Sequence, residues 1–136
     1  MSQFKISILL NRTKELIEGD QWFSSRHQTL ELAQAESDGD THHVFAVFEK
    51  ISPIAGHYFA FYLNGAKVKR YEVRSGTRVL ASGTTVDELD TLTEKARDLS
   101  MRDSGITLTD LLQRHPMVFR NGKALNPDFS PAENAA

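Results

Sequence analysis

The sequence predicts an α+β fold, a four-stranded antiparallel meander flanked by two N-terminal and two C-terminal helices. Three observations carry this. Short apolar runs recur between residues 43 and 82, and Asn64-Gly65 between two of them is a strong hairpin signal. A capped amphipathic stretch follows at 85–100. The length, 136 residues, suits one domain around one core. The expected organisation is a single domain over 1–125 and a loose tail over 126–136.

Residues 3–18 fit two periods. Phe4, Ile6, Ile8 and Leu10 alternate like a strand, whereas Ile6, Leu9, Leu10, Thr13, Leu16 and Ile17 repeat like a helix face. One helix ending at Gly19 is the reading adopted, because little room remains for a turn before Thr13-Lys14; a strand followed by a helix is the alternative. Asp20 then caps a second helix over about 21–36, with Phe23, Leu30 and Ala33 inward.

The sheet follows. Residues 43–51 are apolar on both faces until Glu49, as in a central strand. Residues 57–63 and 68–74 flank Asn64-Gly65, and 78–82 complete the meander. Thr85 and Glu88 form a capping box before a stripe of Val86, Leu89, Leu92 and Ala96. A shorter helix is expected over 107–115, opened by Thr107 and Asp110 and stopped by Pro116. Residues 117–125 suggest a small hairpin around Asn121-Gly122, and no internal repeat is evident.

The net charge of −2 gives no global field toward nucleic acid, membrane or an acidic partner. The absence of cysteine removes disulfides and thiolate chemistry, and a cytoplasmic location is expected. The apolar run Ile6–Leu10 is too short for a signal peptide, and nothing reaches the length of a membrane span.

Local charge is less even. Lys67, Lys69, Arg70, Arg74 and Arg78 face only Glu72 between residues 57 and 80. With a two-residue loop, Tyr58, Tyr62 and Tyr71 share a face with Lys67 and Lys69. With a three-residue loop and a bulge, Tyr58 and Tyr62 share it with Arg70 and Arg74, and Tyr71 and Val73 join Phe59. The second register keeps more charge out of the core, but both set the two tyrosines beside cations. Phe59, Phe61 and Leu63 are then expected to lie under a helix.

Tyr58, Tyr62, Lys67, Lys69, Arg70 and Arg74 are therefore the candidate binding residues. Tyr and Arg are enriched at protein-interface hot spots, which predicts a non-catalytic protein-binding or regulatory domain with a protein partner or a second copy of itself. An edge strand at 78–82 would serve the same purpose. The alternative is a nucleic-acid-binding module on the same face, with bases on the rings and phosphates on the cations.

Asp38, Asp40, His42 and Glu49 imitate part of a calcium loop, but His43 stands where the sharp turn needs glycine. Asp87, Asp90 and Glu94 share a helix face, which suits a solvated surface. No catalytic residue, metal ligand or cofactor is assigned.

Overall fold

Two five-stranded antiparallel sheets, each with one helix, make up the computed structural model, which describes residues 2–113 and 115–125. The expected tail, 126–136, lies outside the described residues. By internal contacts the chain divides at Lys69/Arg70 into two units.

The first unit contains β1 (Gln3–Leu10), β2 (Leu16–Ile17), α1 (Arg26–Ser37), β3 (His43–Ser52), β4 (Ala55–Leu63) and β5 (Ala66–Val68). Its sheet order is β2-β1-β3-β4-β5. The second contains β6 (Tyr71–Ser75), β7 (Arg78–Gly83), α2 (Val86–Ser100), β8 (Ile106–Asp110), β9 (Met117–Arg120) and β10 (Lys123–Leu125). Its sheet order is β7-β6-β8-β9-β10. Both units therefore run strand-strand-helix-strand-strand-strand with the same neighbours.

The correspondence extends to side chains. α1 buries Thr29, Ala33 and Ser37, and α2 buries Leu92, Ala96 and Ser100, each a ladder spaced by four that keeps one helix face on the sheet. Ala33 and Ala96 are both wholly buried, and a methyl group there lets helix and sheet approach closely. Ile8 pairs with Phe45 and Phe45 with Tyr62; Ser75 pairs with Ile106 and Ile106 with Phe119. Sequence identity between the halves is too sparse to reveal a repeat, yet the connectivity is repeated.

The single four-stranded meander is thus corrected to two sheets. The predicted strand 68–74 is the point of failure: Val68 ends β5, Tyr71 begins β6, and Lys69-Arg70 carries the chain from one unit into the other. Strands at 43–52, 55–63 and 78–83 do form, but β7 pairs with β6 in the second sheet.

The predicted helix 3–18 is the β1–β2 hairpin. Its alternation prevails because β1 pairs along its whole length with β3, from Gln3↔Lys50 to Leu10↔His43, and Lys14 takes a left-handed φ of 62° in the turn. α1 starts later than expected. Ser25, not Asp20, accepts the Gln28 amide at 3.2 Å, and Phe23 precedes the helix.

The expected helix 107–115 is replaced over 106–110 by β8; Arg114 lies outside the described residues. Thr107 and Thr109 are β-branched and alternate with buried Ile106 and Leu108, so period two outweighs the apparent capping box. The capping box of Thr85 and Glu88 and the hairpin at Asn121-Gly122 are both present.

Two cores result, one under each helix. The first gathers Ala33, Phe45, Val47, Ala60 and Tyr62; the second includes Tyr71, Val73, Leu92, Ile106 and Phe119. In the first sheet the face away from α1 also carries wholly buried residues, Leu9, Val44, Ala46 and Phe61. This accounts for the apolar character of β3 on both faces.

Candidate functional site

The expected two-residue register holds at the turn and the three-residue one does not, but neither describes the faces on which the tyrosines lie. The Asn64-Gly65 loop has two residues, setting Leu63 opposite Ala66 and Tyr62 opposite Lys67. Both loop residues have positive φ, 50° and 76°, as a type I′ turn requires. The irregularity lies instead within β4. Val47 pairs with Ala60 and Phe48 with Tyr58, which leaves Phe59 as an extra residue.

That bulge reverses the alternation. Tyr62 turns toward α1 and is 5% exposed, and burial raises its phenol above the usual value of 10.0. Tyr58 lies on the opposite face, half-buried, with its hydroxyl 3.4 Å from Ser7 Oγ. Phe61, expected beside Phe59 under a helix, is wholly buried on the face that carries Tyr58. The open surface holding both tyrosines is therefore corrected to two opposite faces, with Tyr62 in the core.

The cations are dispersed as well. Lys67 and Lys69 are exposed. Arg70 forks onto Asp110, Nε to Oδ1 at 2.9 Å and Nη2 to Oδ2 at 3.2 Å, and lies 4.9 Å from the Tyr71 ring centre. Arg74 donates to Glu72 at 2.7 Å. Both guanidiniums already have carboxylates.

A different aromatic–cationic group emerges in the first unit. Residues 20–23 come alongside β1: the Phe4 and Phe23 amides each donate to the other's carbonyl at 2.8 Å. Strand alternation then turns Trp22 away from Phe23, onto the face carrying Lys5 and Phe48, which are cross-strand partners. Gln3 pairs with Lys50 one step further along that face. Lys5 Nζ lies 4.5 Å and Lys50 Nζ 5.4 Å from the Trp22 ring centre. Phe48 meets Trp22 edge-on at 6.4 Å and Tyr58 at 5.1 Å.

Trp22 remains 38% exposed. Among the described residues neither lysine makes an ion pair, so Glu18 and Asp20 lie beyond 4.0 Å of both ammonium groups. The opposite face behaves differently. There Arg26 stacks on Phe59 at 4.2 Å, but Glu49 balances it at 3.6 Å and meets His57 at 3.7 Å.

Sequence reasoning missed this group because Trp22 and Lys5 were placed in helices. The available signal was the chain's one tryptophan, left outside the apolar stripe in a polar stretch, Asp20-Gln21.

The aspartate–histidine stretch has a local role. Asp40 Oδ1 accepts the His42 and His43 amides at 2.9 and 3.1 Å, and Oδ2 meets His43 Nδ1 at 2.8 Å. These bonds, the His42 amide foremost, hold the Asp40 carboxyl below its usual 3.8. Among the described residues no group of three or more His, Asp or Glu is arranged to hold a metal, and no helix is long and apolar enough to cross a membrane.

The sheet margins differ in length. β2 has two residues, and β5 and β10 have three each; β7, at the outer margin of the second sheet, has six. Val79 in β7 is 44% exposed. Comparison with protein-family models, with curated proteins and with solved structures finds no match.

Proposed function

We propose that this protein is a non-catalytic protein-binding or regulatory domain that takes its partner by strand addition at β7, and that it works in the cytoplasm. The observation that carries the reading is the length of β7 as a sheet margin. An edge strand offers a row of unpaired amides and carbonyls to another chain, and proteins commonly blunt such edges by keeping them short. The other three margins in the described residues are too short to template a partner; β7 is not. Its bulge, at Leu80 between Val79 and Ala81, sharpens the twist, and Val79 is 44% exposed. A second copy pairing β7 to β7 about a two-fold axis is the simplest partner, since an isologous contact needs one self-complementary patch.

The test is a proline scan over Val79–Ser82. Proline removes an amide donor, so it should be tolerated only where that amide points away from β6. A variant that keeps its melting temperature but loses concentration-dependent dimerisation, or loses a partner crosslinked in lysate, supports the reading. A chain that stays monomeric at high concentration and captures no partner removes it.

A further inference from the structure

We infer that the platform of Trp22, Lys5 and Lys50 is a binding site for a single strand of nucleic acid. The inference is independent of strand addition at β7, since it rests on other residues in the other unit.

Three features point to this ligand. The indole meets Phe48 edge-on and is 38% exposed, with the two lysines over its ring, so a base gains the ring face when a lysine swings aside. Two ammonium groups lie within 5.4 Å of the ring centre, and among the described residues neither is paired with a carboxylate. A nucleotide supplies both complements at once, a base for the ring and a phosphate for the lysines. Stacking a base on an aromatic ring gains more than an exposed cation–π contact, so a lysine can leave the ring for a phosphate without net loss.

The strand must be single, because in a duplex the base faces are already stacked on one another. A carboxylate-bearing peptide would satisfy the lysines but leave the ring face open. With a net charge of −2 the chain exerts little long-range attraction, so the affinity is modest and local in origin. The platform is built on β1 and β3, on the face that also carries Tyr58, and not on the paired tyrosines and cations of the hairpin that the alternative sequence reading uses.

The chain's one tryptophan is the probe. The full chain is titrated at low salt with an oligothymidylate of about 15 nucleotides, near the upper site size of small single-strand binders. Trp22 emission should be quenched saturably. Two phosphate contacts at about −0.7 each predict that log affinity falls against log salt with a slope of about −1.4. The Lys5→Gln/Lys50→Gln double variant keeps the fluorophore; it should bind about tenfold more weakly with a slope near zero, at unchanged melting temperature. Trp22→Phe, followed by anisotropy of the labelled oligonucleotide, should weaken binding several-fold while keeping a ring against Phe48.

Absence of quenching and of any anisotropy change at low salt overturns the inference. So does an unchanged affinity in the double lysine variant. Equal quenching by inorganic polyphosphate or anionic vesicles would reduce the platform to a general anion contact, and equal affinity for a duplex of the same length would exclude a single-strand site.

Discussion

The hydroxyl of Ser37 accepts the Gly65 amide at 3.0 Å and donates to the Gln34 carbonyl at 2.8 Å, so one side chain ties the last turn of α1 to the hairpin turn between β4 and β5. Ser100 does the same in the second unit, accepting the Gly122 amide at 2.8 Å and donating to the Arg97 carbonyl at 2.7 Å. Each unit closes its helix onto an Asn-Gly turn through one buried serine.

Ser37→Ala and Ser100→Ala should therefore each lower stability by about 1–2 kcal/mol, because a partly buried amide loses its acceptor. Gly65→Ala and Gly122→Ala should cost about 1–2 kcal/mol as well, since the left-handed conformation is open to glycine and strained for alanine. Urea unfolding of the four variants measures both effects. A serine variant as stable as the parent would show that the tie is not a stabilising element.

Phe61 is wholly buried in β4, and its removal should open a cavity. Phe61→Ala is expected to lose about 3–5 kcal/mol, and Phe61→Asp to prevent folding. Tyr62→Phe keeps the ring and should change stability by less than about 1.5 kcal/mol. Thermal unfolding followed by far-UV circular dichroism distinguishes these outcomes.

The Arg70–Asp110 fork is four-fifths buried, with side-chain exposures of 19% and 18%. Asp110 also accepts the Leu112 amide at 2.9 Å. Removing the carboxylate in Asp110→Ala should cost about 2–4 kcal/mol, because the guanidinium stays largely enclosed without its partner. Arg70→Lys should lose less, about 1–2 kcal/mol, keeping the charge but not the two-bond geometry. The double variant should be less destabilised than the sum of the two single changes.

Asp40 gives the protein a defined acid limb. Hydrogen bonds hold its carboxyl below 3.8 in the folded chain, and Ser75 and Gly105 do the same for Asp103. A depressed carboxyl contributes stability that is complete above its unfolded value and lost as pH falls through its folded one. Asp40→Asn should thus lower the melting temperature at about pH 7, by an amount that shrinks as pH falls below the usual carboxylate value and the parent carboxyl takes up its proton. A loss that stays the same as pH falls would assign the effect to geometry, not charge.

Much of the local structure was readable from residue pattern. The double-sided apolar run of β3, the Asn-Gly turns, the box at Thr85 and Glu88 and the extended character of 78–82 rest on short-range chemistry that tertiary contacts reinforce. The failures fall where two short-range signals compete. Residues 3–10 satisfy both periods, and pairing with β3 selects the strand. Thr107 and Asp110 resemble a helix start, and burial of Ile106 and Leu108 selects β8. The candidate site was the least legible part. One extra residue at Phe59 turns Tyr62 into the core, and a bulge leaves no mark in a run of aromatics.

The sequence by itself determined the Asn64-Gly65 and Asn121-Gly122 turns, where α2 begins and which stretches are apolar enough to be buried, because these follow from backbone preferences and hydrophobicity within a few residues. Only the tertiary structure decided that Val68 and Tyr71 belong to different sheets, that both units share one connectivity, and that Trp22 meets Lys5 and Lys50. Strand pairing joins residues tens of positions apart, and a change of one residue in register exchanges the two faces of a sheet, so the surface a strand presents is fixed by its neighbours.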